Sequence, residues 1–228
     1  MTPFEFSPLD PGAQPRTDGR LDVSRIDGAG VPNGTLEVQL GPRRIGGGYL
    51  RVFVDQGGAR ARFIDGLFND GPYPGQNWIE IVDLEMPPGI DSGTGWEARL
   101  VPFLAPMAAA IPRGGHLMVD YEKTMWRETQ LGLLAGIPPL ATPMGALLHR
   151  AGCGDSFKDW YFPEGGQEGG RKLQGNKAFD DRQEVDMAGR RAKELERFLA
   201  GAPSGSPIDA RARATAGEVL EELQARLS

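Results

Sequence analysis

The sequence has few of the residues on which nucleophilic and metal chemistry most often depends. One of the 228 residues is cysteine, Cys153, and two are histidine, His116 and His149. A single cysteine excludes an intrachain disulfide and a cysteine-rich zinc site, and two histidines are too few for a multi-histidine metal site or an evident Ser/His/Asp arrangement. We therefore expect no metal site. His149 lies near the end of a predicted helix, which favours a surface histidine stabilised by the helix dipole.

An excess of positive charge and a long apolar run are missing as well. The 25 basic and 31 acidic side chains give a net charge of −6, so no global basic field attracts a phosphate backbone. No apolar run approaches the roughly 18 to 20 residues of a membrane helix, and residues 1–15 lack the basic start and apolar stretch of a signal peptide. We expect a soluble, cytoplasmic protein that binds a small-molecule substrate, with no nucleic acid or membrane partner.

Glycine and proline, in contrast, are abundant. The 33 glycines and 19 prolines indicate many turns and loops rather than a helical bundle. Residues 1–27 mix Pro, Gly, Asp and Arg without a period, which predicts a flexible N-terminal arm. We expect an α/β domain over residues 28–178 and a helical hairpin over residues 179–228.

The hydrophobic pattern predicts a mixed sheet. Alternation and short apolar runs between turns predict strands, whereas apolar residues spaced by three and four predict helices. The predicted strands are 35–40, 49–54, 59–67, 78–84, 116–122, 157–162 and 171–174, and the predicted helices are 96–111, 124–134, 142–151, 185–199 and 208–227. This succession predicts an α/β fold with a mixed, partly antiparallel sheet that is flanked by helices.

Two pairs of carboxylates stand at the ends of predicted strands. Asp83 and Glu85 end one strand, Asp120 and Glu122 end another, and the period of two places each pair on one strand face. On neighbouring strands these acids would converge and raise one another's pKa, which suits a general base near neutral pH or a cation ligand. The alternative is that they are solubilising groups at wet strand ends.

The loop after strand 78–84 is rich in glycine. Gly89, Gly93 and Gly95, together with Thr94, lie between a strand and a helix, where backbone N–H groups approach a phosphate at the helix N-terminus. That position suits a nucleotide or a coenzyme. The alternative is a flexible connector, and Asp91 would repel an anion.

Aromatic residues end strand 157–162. Tyr161 is a candidate proton donor if it faces a cleft, although an aromatic cluster on a strand more often belongs to the core. Segment 163–175 is dense in glycine and contains Arg171 and Lys172. It predicts a long hairpin loop, or a cover that presents two cations to a ligand.

The element order resembles the core of the GNAT N-acyltransferase superfamily. The resemblance rests on a hairpin, strand 78–84, the glycine-rich loop, a helix, strand 116–122, and helix 142–151 feeding strand 157–162. In that superfamily the pyrophosphate of the coenzyme sits on the loop after the fourth strand. The resemblance therefore implies that the loop glycines and Thr94 bind acetyl-CoA or another acyl-CoA.

The same resemblance implies roles for the acids and tyrosines. The reaction would be acyl transfer to a small amine or a protein amine. A carboxylate would remove the amine proton, and a tyrosine would protonate the leaving thiolate. The candidate catalytic residues are Asp83, Glu85, Asp120, Glu122, Tyr121 and Tyr161.

Two further resemblances and one further function class remain open. The segment IPRGG at 111–115 and the elements after it resemble the closing half of class I SAM-dependent methyltransferases. Residues 157–166 and 171–175 are similar to an uncharacterised family of small archaeal and bacterial proteins of unknown function. A non-catalytic ligand-binding or assembly module is the third possibility.

The last two predicted helices each carry one apolar stripe. Each helix is too short to be stable alone in water, so its stripe must be buried against the main body or a second subunit. This predicts a possible homodimer through the C-terminal helices. The two stripes are Val185, Ala188, Ala192, Leu195 and Leu199, and Ile208, Ala212, Ala216, Val219, Leu223 and Leu227.

Overall fold

The computed structural model describes residues 35–40, 47–56, 59–70, 73, 76–84, 96–120, 127–153, 155–160 and 171–228. The strands are β1 (Thr35–Leu40), β2 (Gly47–Gln56), β3 (Ala59–Asp70), β4 (Asn77–Leu84), β5 (His116–Asp120), β6 (Asp155–Trp160) and β7 (Arg171–Asn176). The α-helices are α1 (Trp96–Ala110), α2 (Arg127–Leu134), α3 (Pro143–Arg150), α4 (Asp181–Ala200) and α5 (Pro207–Leu227), and a 3-10 helix spans Pro139–Ala141.

The seven strands form one sheet in the order β1-β2-β3-β4-β5-β7-β6. Strands β1 to β4 form an antiparallel meander, and β6 and β7 form an antiparallel pair that joins the sheet through β7. Strands β4 and β5 are parallel, and α1 connects them. The predicted fold class, a mixed and partly antiparallel α/β sheet with a C-terminal helical hairpin, is confirmed.

One face of the sheet is covered by helices. In the central strands every second residue is fully buried on this face, as the period of two requires. The sheet contributes Ile64, Phe68, Ile79, Ile81, Leu117, Val119 and Leu173, and the helices contribute Leu100, Leu104, Met107, Met144, Leu147 and Leu148. Each such side chain contributes roughly 1.5 to 3 kcal/mol through burial. This core fixes the register of β4 against β5.

The C-terminal helices pack on a second core beside the first. Helices α4 and α5 bury mainly small side chains against each other, against α3 and against the 3-10 helix. The buried residues are Ala188, Ala192, Leu195, Ala212, Ala216, Val219 and Leu223, with Ile137, Leu140, Ala141 and Ala146 opposite them. The apolar stripes are therefore buried within one chain.

Two residues were wrongly assigned to those stripes. Val185 is 54% exposed and Leu227 is 40% exposed, whereas Met187 is buried in α4. Both assignments failed because they lie near helix ends, where the partner helix no longer covers the stripe.

Element ends differ from the prediction by a few residues. Strand β5 is described to Asp120, where it pairs with Lys172 of β7, and the predicted strand residues 121 and 122 lie outside the described residues. Strand β6 starts at Asp155, two residues earlier than predicted, and the predicted strand residues 161 and 162 also lie outside the described residues. The predicted N-terminal arm at 1–27 lies outside the described residues. Within the described part of the chain, none of the helices is long and apolar enough to span a bilayer.

Candidate functional site

Among the described residues, the parallel pairing of β4 with β5 ends before either strand does. The register runs from Trp78↔His116 to Ile81↔Val119, whereas β4 continues to Leu84 and β5 to Asp120. Both strands run in the same direction, so their carboxyl ends meet at one edge of the fold. In open α/β sheets this edge is where ligands most often bind. The candidate site is therefore the end of the β4/β5 ladder.

A β-bulge lies at the same place. In the antiparallel pairing of β3 with β4, Gly66 faces Ile81 but Asp65 faces Asp83, so Val82 is an extra residue on β4. Simple alternation from Ile81 would place Asp83 on the helix-covered face. The bulge instead places Asp83 with Asp65, on the open face away from α1 and α3. Bulges commonly redirect a side chain or end a ladder near a functional site.

Gly66 makes this bulge possible. A Cβ atom built on Gly66 would lie 2.6 Å from the backbone oxygen of Glu80, closer than real Cβ atoms approach. The main chains of β3 and β4 therefore touch at a point where a side chain has no room.

Three acidic side chains lie near the ladder end on the sheet face opposite the helix-covered core. The pairings Leu67↔Glu80 and Asp65↔Asp83 place Glu80, Asp65 and Asp83 on one face. Glu80 is 8% exposed, and the carboxylate of Asp65 lies 3.3 Å from Nε of Arg51. That ion pair is largely exposed and contributes little to stability.

The second predicted acid pair lies on the neighbouring strand. The backbone of position 120 pairs with Lys172 of β7. The structure thus places Asp83 and Asp120 near the ends of adjacent strands. Their predicted partners Glu85 and Glu122, and the tyrosines Tyr121 and Tyr161, lie outside the described residues.

The predicted coenzyme loop is described only at its two ends. It leaves β4 at Leu84 and enters α1 at Trp96, so the N-terminus of α1 directly follows Gly95. A helix N-terminus presents unpaired N–H groups and a partial positive charge to a bound anion. Gly89, Gly93, Thr94 and Gly95 themselves lie outside the described residues.

Cys153 and His149 lie away from this edge and are both buried. Burial raises the pKa of the Cys153 thiol to about 12, so the thiolate is scarce at neutral pH. The expected surface position of His149 is wrong, because α5 covers the end of α3 and leaves the ring with no exposed area. Its Nε2 lies 3.3 Å from Oε2 of Glu222. Burial, then the charge of Arg226, lowers the pKa of His149 to about 4.

Gly66, Glu80 and the bulge at Val82 are not among the residues predicted from the sequence. The available signal was an isolated glycine inside a strand pattern, which suggests a bulge or a close backbone approach. Among the described residues, no group of three or more His, Cys, Asp or Glu side chains could hold a metal ion.

By its fold the chain is an α/β protein with a mixed sheet. Comparison with known proteins assigns it to one family within this class. A family model described as "Protein of unknown function (DUF1122)" matches residues 42–202, more than half of the chain, and the protein belongs to that family. The prediction of an uncharacterised family is thereby confirmed, and the family description names no acyltransferase.

A solved structure shares the fold. The crystal structure of a protein of unknown function from Aquifex aeolicus VF5 matches with a TM-score of 0.62 and 21% sequence identity. The match covers 86% of this chain and 93% of the other. At this identity the likeness establishes a common architecture alone. No curated protein matches the sequence.

Proposed function

We propose that the protein is an acyl-CoA-dependent N-acyltransferase whose site is the edge where β4 and β5 stop pairing. The observation that carries the proposal is the early end of this ladder beside the loop 85–95 that enters α1. The order of elements supports the same proposal: the β2–β3 hairpin, β4, α1 and β5 follow in the order on which the GNAT resemblance rests, and α3 then feeds β6.

The shape of the edge suits the chemistry of coenzyme A. Its pantetheine arm carries amide groups, which can hydrogen-bond to a strand where the neighbouring strand no longer does. Its pyrophosphate is an anion, and the N-terminus of α1 favours an anion at the end of the glycine-rich loop. The residues proposed to hold the coenzyme are the backbone of β4 and Gly89, Gly93, Thr94 and Gly95.

The chain's own side chains would handle the protons. When bound, an acyl-CoA supplies a thioester, whose C–S bond breaks as the amine nitrogen bonds to the acyl carbon. Asp83, which the bulge turns onto the open face, takes the proton that the amine loses, directly or through a water. Asp120 has an equivalent position on β5, and Glu85 and Glu122 are further candidates. Tyr121 or Tyr161 gives a proton to the leaving thiolate.

The alternatives receive less support. Class I methyltransferases bind their cofactor with a strand–helix alternation that this chain replaces with the antiparallel meander β1 to β4. The other alternative is a non-catalytic ligand-binding or assembly module, which negative results in the experiments below would favour. The identity of the acyl acceptor is not assigned. Binding of a small-molecule substrate and formation of a homodimer remain predictions.

Ligand binding tests the proposed site directly. Acetyl-CoA at a hundredfold excess over its Kd should stabilise the protein by about 2.7 kcal/mol and raise the Tm, whereas S-adenosylmethionine should not. Gly95→Val should weaken acetyl-CoA binding in calorimetry because a side chain blocks backbone approach to the pyrophosphate. Gly217→Val is the matched control, since a Cβ atom at Gly217 in α5 meets no atom within 4 Å.

Two outcomes would contradict the coenzyme assignment. Equal acetyl-CoA affinity in Gly95→Val and the parent protein would remove this loop from the site. A Tm that rises with S-adenosylmethionine but not with acetyl-CoA would favour the methyltransferase-like alternative, and no response to either would favour the non-catalytic module.

Turnover tests the role of Asp83. Thiol release from acetyl-CoA should be measured over a panel of small primary amines and lysine peptides. On the best acceptor, Asp83→Asn should lower kcat by roughly 100-fold or more, in line with loss of a general base, and leave acetyl-CoA affinity unchanged. A kcat that is equal to the parent's would exclude Asp83 as the base and direct the same test to Asp120.

A further inference from the structure

In the described part of the chain, the outer face of α4 carries an open groove. The groove has a volume of about 810 Å³ and extends from Phe179 along α4 to Lys193, with Leu227 of α5 at its side. We call it the α4 groove. Most of it lies on the side of α4 away from the buried Ala188 and Leu195.

Apolar side chains concentrate in this groove. Six large hydrophobic residues in the described part of the chain are exposed, and three of them line it. Phe179 is 55% exposed, Val185 54% and Leu227 40%. Clustered exposed apolar side chains of this kind mark interaction surfaces more often than scattered ones do.

A glycine lies at the middle of the groove. Gly189 is in the interior of α4, where glycine destabilises a helix relative to alanine. A Cβ atom built on it would meet no atom within 4 Å, so nothing in the described chain requires a glycine there. The missing side chain leaves room for the backbone of another helix to approach closely.

Four charged residues on one side of α4, taken without Asp180 and Arg190 that also line the groove, are complementary to themselves in one orientation. Residues 182, 186, 189, 193 and 196 follow at alternating spacings of four and three, which places them on one side of the helix. They are Arg182, Asp186, Gly189, Lys193 and Glu196. In an antiparallel pair with a two-fold axis at Gly189, Arg182 faces Glu196 of the second copy and Asp186 faces its Lys193. A parallel pair would instead set each charge against its like.

We propose that two copies of the chain associate through the α4 groove, as an antiparallel pair of α4 helices with a two-fold axis at Gly189. A two-fold interface uses the same surface twice and must be complementary to itself, which this charge pattern is. Val185 and Leu227 supply the apolar contacts beside the axis. This surface includes Val185 and Leu227, the two exposed members of the apolar stripes predicted from sequence, but not the members that are buried within the chain. It is independent of the acyltransferase proposal.

A charge-swap series on the full chain tests the pairing. The parent protein should show twice the chain mass by sedimentation equilibrium or light scattering. Asp186→Lys and Lys193→Asp should each weaken dimerisation about tenfold or more, because each creates two like-charge contacts across the axis. The double variant restores opposite charges and should recover most of the affinity. Gly189→Arg should give the single-chain mass.

Controls separate folding from association. Glu221→Lys changes the charge of an exposed residue on α5 and should leave the dimer intact. All variants should keep the parent's helical circular dichroism. A parent protein that has the single-chain mass up to its highest soluble concentration would overturn the proposal, and so would a dimer that Gly189→Arg leaves intact or a double variant weaker than both single ones.

Discussion

The C-terminal hairpin and the carboxyl ends of β4 and β5 are specified in different ways. In the hairpin the start of each helix is set by a neighbour in sequence. Asp180 accepts a hydrogen bond from the backbone of Gln183, and Ser206 accepts one from the backbone of Asp209. At the strand ends, by contrast, the position of Asp83 depends on one extra residue in β4. That extra residue forms a bulge only because β3 pairs with β4 on both sides of it.

The two regions also differ in how they are held. Arg150 of α3 joins Glu218 and Glu222 of α5 at 2.8 and 3.0 Å, over a core of small side chains. At the strand ends, the last pair of the β4/β5 ladder among the described residues is Ile81 with Val119. The comparison suggests that changes in the hairpin should affect global stability, whereas changes at the bulge should affect ligand binding more than stability.

The largest effect is expected from Leu223→Ala in α5. Leu223 is fully buried, so its truncation leaves a cavity and should lower the free energy of unfolding by about 3 to 4 kcal/mol. Urea denaturation measures this, with the exposed Glu221→Ala as control. Acetyl-CoA affinity at temperatures where the variant is folded should equal the parent's. A loss of affinity comparable with that of a site variant would contradict the separation of the two regions.

Acid should destabilise the contact between α3 and α5 nearly as much as Leu223→Ala destabilises the protein. The pKa of His149 is about 4 in the folded chain and 6.5 in the reference state, so the unfolded chain binds the extra proton as pH falls from 6.5 to 4. Stability present above pH 6.5 should decrease by about 3 kcal/mol over this range. The neighbouring charges of Glu222, Arg226 and Arg150 set the shift together with burial.

His149→Leu isolates this contribution. The variant should keep the pH dependence of the carboxylates but lose the part that lies between pH 6.5 and pH 4, as followed by urea midpoints at several pH values. If plots of stability against pH were parallel for the variant and the parent, His149 would have the same pKa in the folded and the unfolded chain.

Gly66→Ala should lower stability less than Leu223→Ala does, but it should weaken ligand binding more. The added methyl meets the Glu80 backbone oxygen at 2.6 Å, so β3 must shift from β4, at a cost of about 2 kcal/mol. The bulge and Asp83 move with it, and acetyl-CoA affinity and kcat should both fall. Gly217→Ala, in open space on α5, should change neither. A Gly66→Ala protein with unaltered ligand affinity would place the site elsewhere.

The smallest effect is expected at a helix cap. Ser206→Ala removes the acceptor for the Asp209 backbone N–H and should destabilise the protein by about 1 kcal/mol. Ser206→Asp keeps an acceptor there and should retain most of the stability. Thermal melts of the three proteins measure the difference, and equal Tm values for alanine and aspartate would show that the cap contributes nothing.

Much of the fold was predictable because its signals are local. The strand and helix positions followed from apolar spacing, and Ser206-Pro207 indicated where α5 begins. The prediction that Asp83 and Asp120 end strands was also sound, and the sheet makes those strands neighbours. It did not include Gly66, whose role depends on how closely β4 approaches β3.

The errors have one common origin. The expected surface position of His149 rests on the helix dipole near the end of a helix, and the place of Val185 in a stripe rests on its spacing. In both cases the outcome depended on where α5 lies, over His149 and short of Val185. No pattern within α3 or α4 contains that information.

The sequence by itself determined which segments of this protein form strands and which form helices. It also shows that cysteine and histidine residues are few. The strands and helices follow from interactions between residues a few positions apart. The tertiary structure alone decided that β4 and β5 part at Ile81, that a bulge turns Asp83 to the open face, and that α5 buries His149. The physical reason is that register, close approach and burial depend on contacts between segments far apart in the chain.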